Sequence, residues 1–164
     1  MLDQLKSLVK EYAGDAIITN PAVPNEKNDE AIGLASNSIV DGLQTAISTG
    51  GEGELTNVFN GGEQQVANSA VTQNIKENFV ERLVSKLGLD HGKAGQIASS
   101  LIPVVMAKFV HKTNDPNDKS FDLQGILRGL TGGKIGDVLG KLTGDNDSKN
   151  EGGGILDKVK GLFN

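Results

Sequence analysis

Side chains able to carry a metal or a nucleophile are scarce in this chain of 164 residues, which has 2 His and 0 Cys. His91 and His111 do not stand in a His-x3-His arrangement, and no thiolate is available to complete a tetrahedral site, so no metal is expected. Both suit helix ends better. His91 follows Asp90, a ready helix cap, and His111 closes an apolar stretch, where the helix dipole favours a cation. Ser99, His111 and Asp115 supply the residue types of a Ser-His-Asp set. No G-x-S-x-G elbow accompanies them to expose a nucleophile. Ser99 and Ser100 read instead as serving the backbone near Pro103, and no catalytic residue is assigned.

Two acidic stretches raise the question of calcium. NDPNDKSFD carries Asp115, Asp118 and Asp122, and GDNDSKNEG carries Asp145, Asp147 and Glu151. Neither has the EF-hand order, with Gly at the sixth place and Glu at the twelfth, and Lys119 and Lys149 stand within them. Both read as solvated turns. The glycine-rich loops raise the question of phosphate. GGKIGDVLGKL lacks the Walker spacing, because position 135 is Ile and Lys141 is followed by Leu142. GGEGELTNVF lacks G-x-G-x-x-G, and no strand pattern precedes it. These glycines read as helix ends, and no cofactor is expected. Gly125, Gly129, Gly132, Gly136 and Gly140 recur at about helical spacing. Each costs a helix roughly 1 kcal/mol against Ala, which predicts close packing against a neighbouring backbone, in this chain or in another subunit.

ERLVSKLGLDHGKAGQIASS has the outline of a helix-turn-helix with Gly88 in its turn. A DNA reader needs basic and polar residues on its second helix; here Lys93 stands alone before the apolar LIPVV. The net charge of −5 also opposes a grip on nucleic acid or anionic lipid. Nucleic-acid binding is therefore the alternative reading, and small-ligand binding at the Gly-rich loops a weaker one. With no Cys, the chain has neither disulfides nor thiol chemistry, which fits the cytoplasm. The first fourteen residues, with Asp3 early and charges throughout, do not form a secretory signal.

The elements that must position these residues are helices. Gln96 to Lys112 is the most apolar stretch, with Ile97, Ala98, Leu101, Ile102, Val105 and Phe109 at helical spacing and apolar residues nearly all round. At fewer than the roughly 20 apolar residues a bilayer requires, it is too short to span one. Pro103 in its middle predicts a kinked buried helix, the alternative being a break near Ile102. Before it, Leu2, Leu5, Leu8, Val9 and Tyr12 form one stripe ending at Gly14. Pro21 and Pro24 mark an irregular connection, and Asn28, Asp29 and Glu30 cap and charge a helix to about Ser48. LTNVF reads as a short turn ended by Gly61 and Gly62, and Ile75 to Leu87 as a helix stopped by Gly88. LQGILRGL is a short helix, and KIGDVLGKLTG a further one.

The plan repeats. Ala35, Ile39 and Leu43 align with Ala98, Ile102 and Met106, and LTNVFNGG aligns with ILRGLTGG. The fold class expected is all-α and multihelical: two duplicated units, about 1–62 and about 73–133, stacked around the kinked helix, with an extra short helix at about 134–143. Residues 144–154 have the composition of a flexible linker. Residues 155–164 form an amphipathic tail helix, with Ile155, Leu156, Val159, Leu162 and Phe163 on one face.

LGLDHGKAGQIASSLIPVVMAKFV, a polar loop, and LQGILRGLTGGKIGDVLGKLTG together resemble the bacterial domain-of-unknown-function 937 family, the YidB-like proteins, over about residues 70 to 143. The resemblance implies an all-helical bacterial protein of the cytoplasm and brings no catalytic residues with it. The tail after Gly144 and the Pro21–Pro24 loop stand outside the pattern. The function expected is that of a non-catalytic protein acting through protein–protein contacts, with self-association through the tail. A homo-oligomer is the expected partner, with tail contact to a membrane surface a lesser option.

Overall fold

In the computed structural model, residues 2–121 and 123–131 are described. Every regular element among them is helical. The apolar spacing at Leu5, Leu8 and Val9 buries one side of α1 (Leu2–Tyr12). A five-residue π-helical turn, Gly14–Ile18, follows it and sends Ile17 into the core; Val23 follows Ile17 inward from the connection beyond. The stretch around Pro21 and Pro24 is thus irregular but not peripheral.

Helix α2 (Asn28–Ser48) runs to the expected end and buries Ile32, Ala35, Ile39 and Leu43. Asp29 and Glu30 lie in its first turn, where the dipole favours acid. The cap differs from expectation. Lys27 occupies the cap position without a side-chain capping bond, and the Asn28 amide donates instead to the Ile18 carbonyl at 3.5 Å. The LTNVF turn is longer than its apolar residues indicate: α3 spans Glu52–Asn60. A further helix, α4 (Glu63–Asn68), falls between the two expected units, in a segment with no strong periodicity. Only Val66 is fully buried on it, so six residues carry too little apolar pattern to be read from sequence.

At the α4–α5 corner Ser69 adopts an extended conformation and accepts the Thr72 amide at 3.1 Å, capping α5 (Ala70–Leu87). The buried Thr72 hydroxyl returns to the Val66 carbonyl at 2.7 Å, so α5 begins at Ala70, earlier than its first apolar residues indicate. Gly88, at φ 67°, ends α5 in the left-handed region that glycine tolerates best. The Leu89 amide then donates to the Leu83 carbonyl at 3.3 Å. Asp90 caps α6 (His91–Thr113) by accepting from the amides of Gly92 and Lys93, at 3.0 and 3.3 Å.

Helix α6 passes through Pro103 without a break. Ala94, Ile97, Ala98, Leu101, Ile102, Val105, Met106, Phe109 and Val110 are all buried, as befits the central element. Val104 is the exception to the apolar run: it is 43% exposed. Helix α5 lies between α2 and α6, α1 packs on both of those, and α4 lies along α6. Asp41 and Arg82 tie α2 to α5 by an ion pair. Phe109 packs against Phe59 and Phe121, with ring centroids 6.3 and 5.9 Å away, joining the ends of α3 and α6 to the turn that leads into α7 (Leu123–Thr131). Helix α7 buries Ile126 and Leu130 and packs on α2. A 21-residue helix precedes the nine-residue α3, and a 23-residue helix precedes the nine-residue α7.

Candidate interaction groove

The side chains with chemical potential are spread apart by the helices that carry them. Ser99 and His111 lie twelve positions apart on α6, about 18 Å at 1.5 Å per residue. They cannot share a proton, so the Ser-His-Asp set is not assembled. His91 and His111 sit at opposite ends of the same helix, both exposed. Asp115 instead closes a turn, accepting the Asn117 amide at 2.8 Å. Asp118 accepts the Ser120 amide at 3.0 Å and the Lys112 ammonium at 3.3 Å. These bonds, the Ser120 amide foremost, hold the Asp118 carboxyl below the usual aspartate range, against a smaller opposing effect of burial. Among the described residues no three acidic or histidine side chains are grouped as a metal site would require.

The remaining sequence-predicted sites are placed only in part. Gly125 and Gly129 lie on α7, and both are exposed. Gly132, Gly136 and Gly140, the second acidic loop, the Lys141 loop and the tail face of Ile155, Leu156, Val159, Leu162 and Phe163 lie outside the described residues. The helix-turn-helix outline corresponds to α5, Gly88 and α6. Its second helix buries Ala94, Ile97 and Ala98 and turns His91, Lys93, Gln96, Ser99 and Ser100 to solvent.

What the fold does assemble is a groove where the α3–α4 junction meets the second half of α6. Gly61 and Gly62 keep this junction thin and extended. A β-carbon on Gly61 would stand 2.6 Å from the Asn57 carbonyl oxygen, so a side chain is not tolerated there without movement. The Asn114 amide donates to the Phe59 carbonyl at 2.6 Å and holds the end of α6 against the end of α3. On one side of the junction is a cavity of about 380 Å³ between Gly62, Val66, Val110, His111 and Asp115. Adjoining it, across Glu63 and Ala107, is an apolar hollow of about 230 Å³ floored by Ala67, Pro103, Val104 and Ala107.

The ion pair between Lys108 and Glu63, 3.1 Å long and well exposed, spans the groove from α6 to α4. Its hydrogen bond and charge raise the Lys108 ammonium above the usual lysine range. Glu63, Val66 and Ala67 come from the helix that sequence reading missed, so the groove had no sequence signal beyond the Gly61–Gly62 pair and Pro103. Chemically it offers apolar contact with a charged rim: His111 and Asp115 on its wall are not hydrogen-bonded to each other.

The class defined by this architecture is a multihelical all-α protein with a surface groove against its central helix. The chain belongs to the family described as bacterial protein of unknown function (DUF937), whose model matches residues 69–162. The match opens at Ser69, the cap of α5, and takes in α5, α6 and α7. It continues past Gly144 to residue 162, so the tail placed outside the family pattern by sequence is matched as far as Leu162. The helices α1 to α4, which cover the α5–α6 pair, precede the matched region. No curated protein and no solved structure matches the chain.

Proposed function

We propose that this is a non-catalytic helical protein of the bacterial cytoplasm that acts through protein contacts, first of all with copies of itself. One observation carries this reading. The most apolar helix of the chain, buried over most of its surface, leaves Val104 43% exposed beside half-buried Pro103, at the floor of an open groove. With Ala67, Pro103 and Ala107, Val104 lines an apolar hollow of about 230 Å³, a concave surface that supports contact with a partner. The spread of Ser99, His91 and His111 along α6 supports a role in contact over one in chemistry. The Cys-free composition fits a reducing compartment, and among the described residues no helix is long and apolar enough to cross a membrane.

The test is the native mass by light scattering over a concentration series. A mass rising above that of the 17.2 kDa chain supports self-association. A single-chain mass at every concentration overturns it. Nucleic-acid binding is the competing outcome, read by fluorescence anisotropy against random duplex at low salt.

A further inference from the structure

We infer that the α4–α6 groove is the seat of residues 155–164 from a second copy of this chain. The inference deepens the self-association proposed above and rests on it.

The groove has the dimensions and surface of a helix-binding slot. From Pro103 to His111 the exposed side of α6 extends about 12 Å, and a ten-residue helix is about 15 Å long. Ala67, Pro103, Val104 and Ala107 make the floor, with a hollow of about 230 Å³ opening into one of about 380 Å³. By sequence, residues 155–164 place Ile155, Leu156, Val159, Leu162 and Phe163 at the spacing of anchors on one helix face. A helix this short is marginal alone in water, so its apolar face calls for a partner surface. Charge agrees as well. The groove walls carry two carboxylates, Glu63 and Asp115, against one lysine, Lys108. The segment carries Lys158 and Lys160 against Asp157.

The course of the chain assigns the segment to a neighbour. Phe121 packs on Phe109, which is five positions from Val104 and therefore about 140° away around α6. Helix α7 then packs on α2, and no residue of α2 lines the groove. Residues 132–154 lie between Thr131 and Ile155. The stretch 144–154, read above as a flexible linker, has a root-mean-square span of about 18 Å, about the radius of a body of this size. Passing the segment to a neighbouring copy joins protomers without new surface.

Two full-length variants test this, each checked by circular dichroism for unchanged helix content. Val104→Glu places a charge on the groove floor at an exposed site. Leu162→Asp with Phe163→Asp places charges on the segment. Each alone is expected to weaken association at least about tenfold, a loss of about 1.4 kcal/mol. Mixed in equal amounts, the two are expected to form a heterodimer, because one supplies an intact segment and the other an intact groove. Failure of the mixture to associate, with both variants dissociated alone, overturns the assignment to a second copy. Wild-type association that neither variant weakens overturns the groove and segment while self-association stands. A wild-type protein that is a single chain at all concentrations overturns both.

Discussion

Gly42 of α2 lies so close to Ile75 of α5 that a β-carbon on Gly42 would fall inside the Ile75 side chain. The atom it would meet is Cγ1, near the root of a fully buried side chain that has little freedom to turn aside. Gly42→Ala should therefore destabilise the fold by about 1–3 kcal/mol, although Ala favours a helix over Gly by about 1 kcal/mol. Urea unfolding measures the loss. Combining Gly42→Ala with Ile75→Ala should cost less than the two changes added, since the second removes the clash. An additive pair, or a stabilising Gly42→Ala, would show that α2 and α5 do not approach here.

The core prediction rests on contrast. Phe109, 2% exposed and packed tilted or edge-on against two other rings, should cost about 3–5 kcal/mol when changed to Ala. Glu81 on the exposed side of α5 should change stability by no more than about 0.5 kcal/mol on the same replacement. Similar midpoints for the two variants would contradict the placement of α5 and α6.

Acid should act on the turn after α6. Asp118 is held below its ordinary value, about 3.9, by the Ser120 amide and then by Lys112. A lowered folded-state value means that its contribution is present above the unfolded value and is lost as the pH falls through the folded one. Asp118→Asn should thus melt below wild type at neutral pH, with the gap closing below about pH 4. Lys108 has the opposite sign. Its raised value makes its small contribution full at neutral pH, with loss only above about pH 10.4. A gap for Asp118→Asn that widens in acid would reverse the assignment.

Elemental analysis of the purified protein should find no stoichiometric transition metal, with His91→Ala and His111→Ala as controls, and His91→Ala, outside the groove, should leave association within about twofold of wild type. Tight zinc that disappears in either variant would return the histidines to the chemistry of the protein.

The helix-forming pattern was legible in single stretches. The stripe at Leu5, Leu8 and Val9, the caps at Asp90 and Gly88, and the apolar spacing of α2, α5 and α6 are local signals, and each appears in the structure where the spacing put it. Helix α4 was not legible, because one buried valine in six residues makes no period. The early start of α5 was hidden for a related reason: it depends on the hydroxyls of Ser69 and Thr72, not on apolar residues.

By itself the sequence determined that the chain is helical and that Gln96 to Lys112 is central, because periodicity and hydrophobicity act within one segment. It could not choose the open side of α6, which is apolar nearly all round and marks no face for solvent. Tertiary structure decided that choice by laying α4 along α6 and leaving Val104 uncovered between them. It also decided the close approach at Gly42, which the spacing did not point to. Of the glycines it did point to, Gly125 and Gly129 lie on α7, and Gly132, Gly136 and Gly140 lie outside the described residues. Such an approach is a property of two helices and their crossing, and no single segment encodes it.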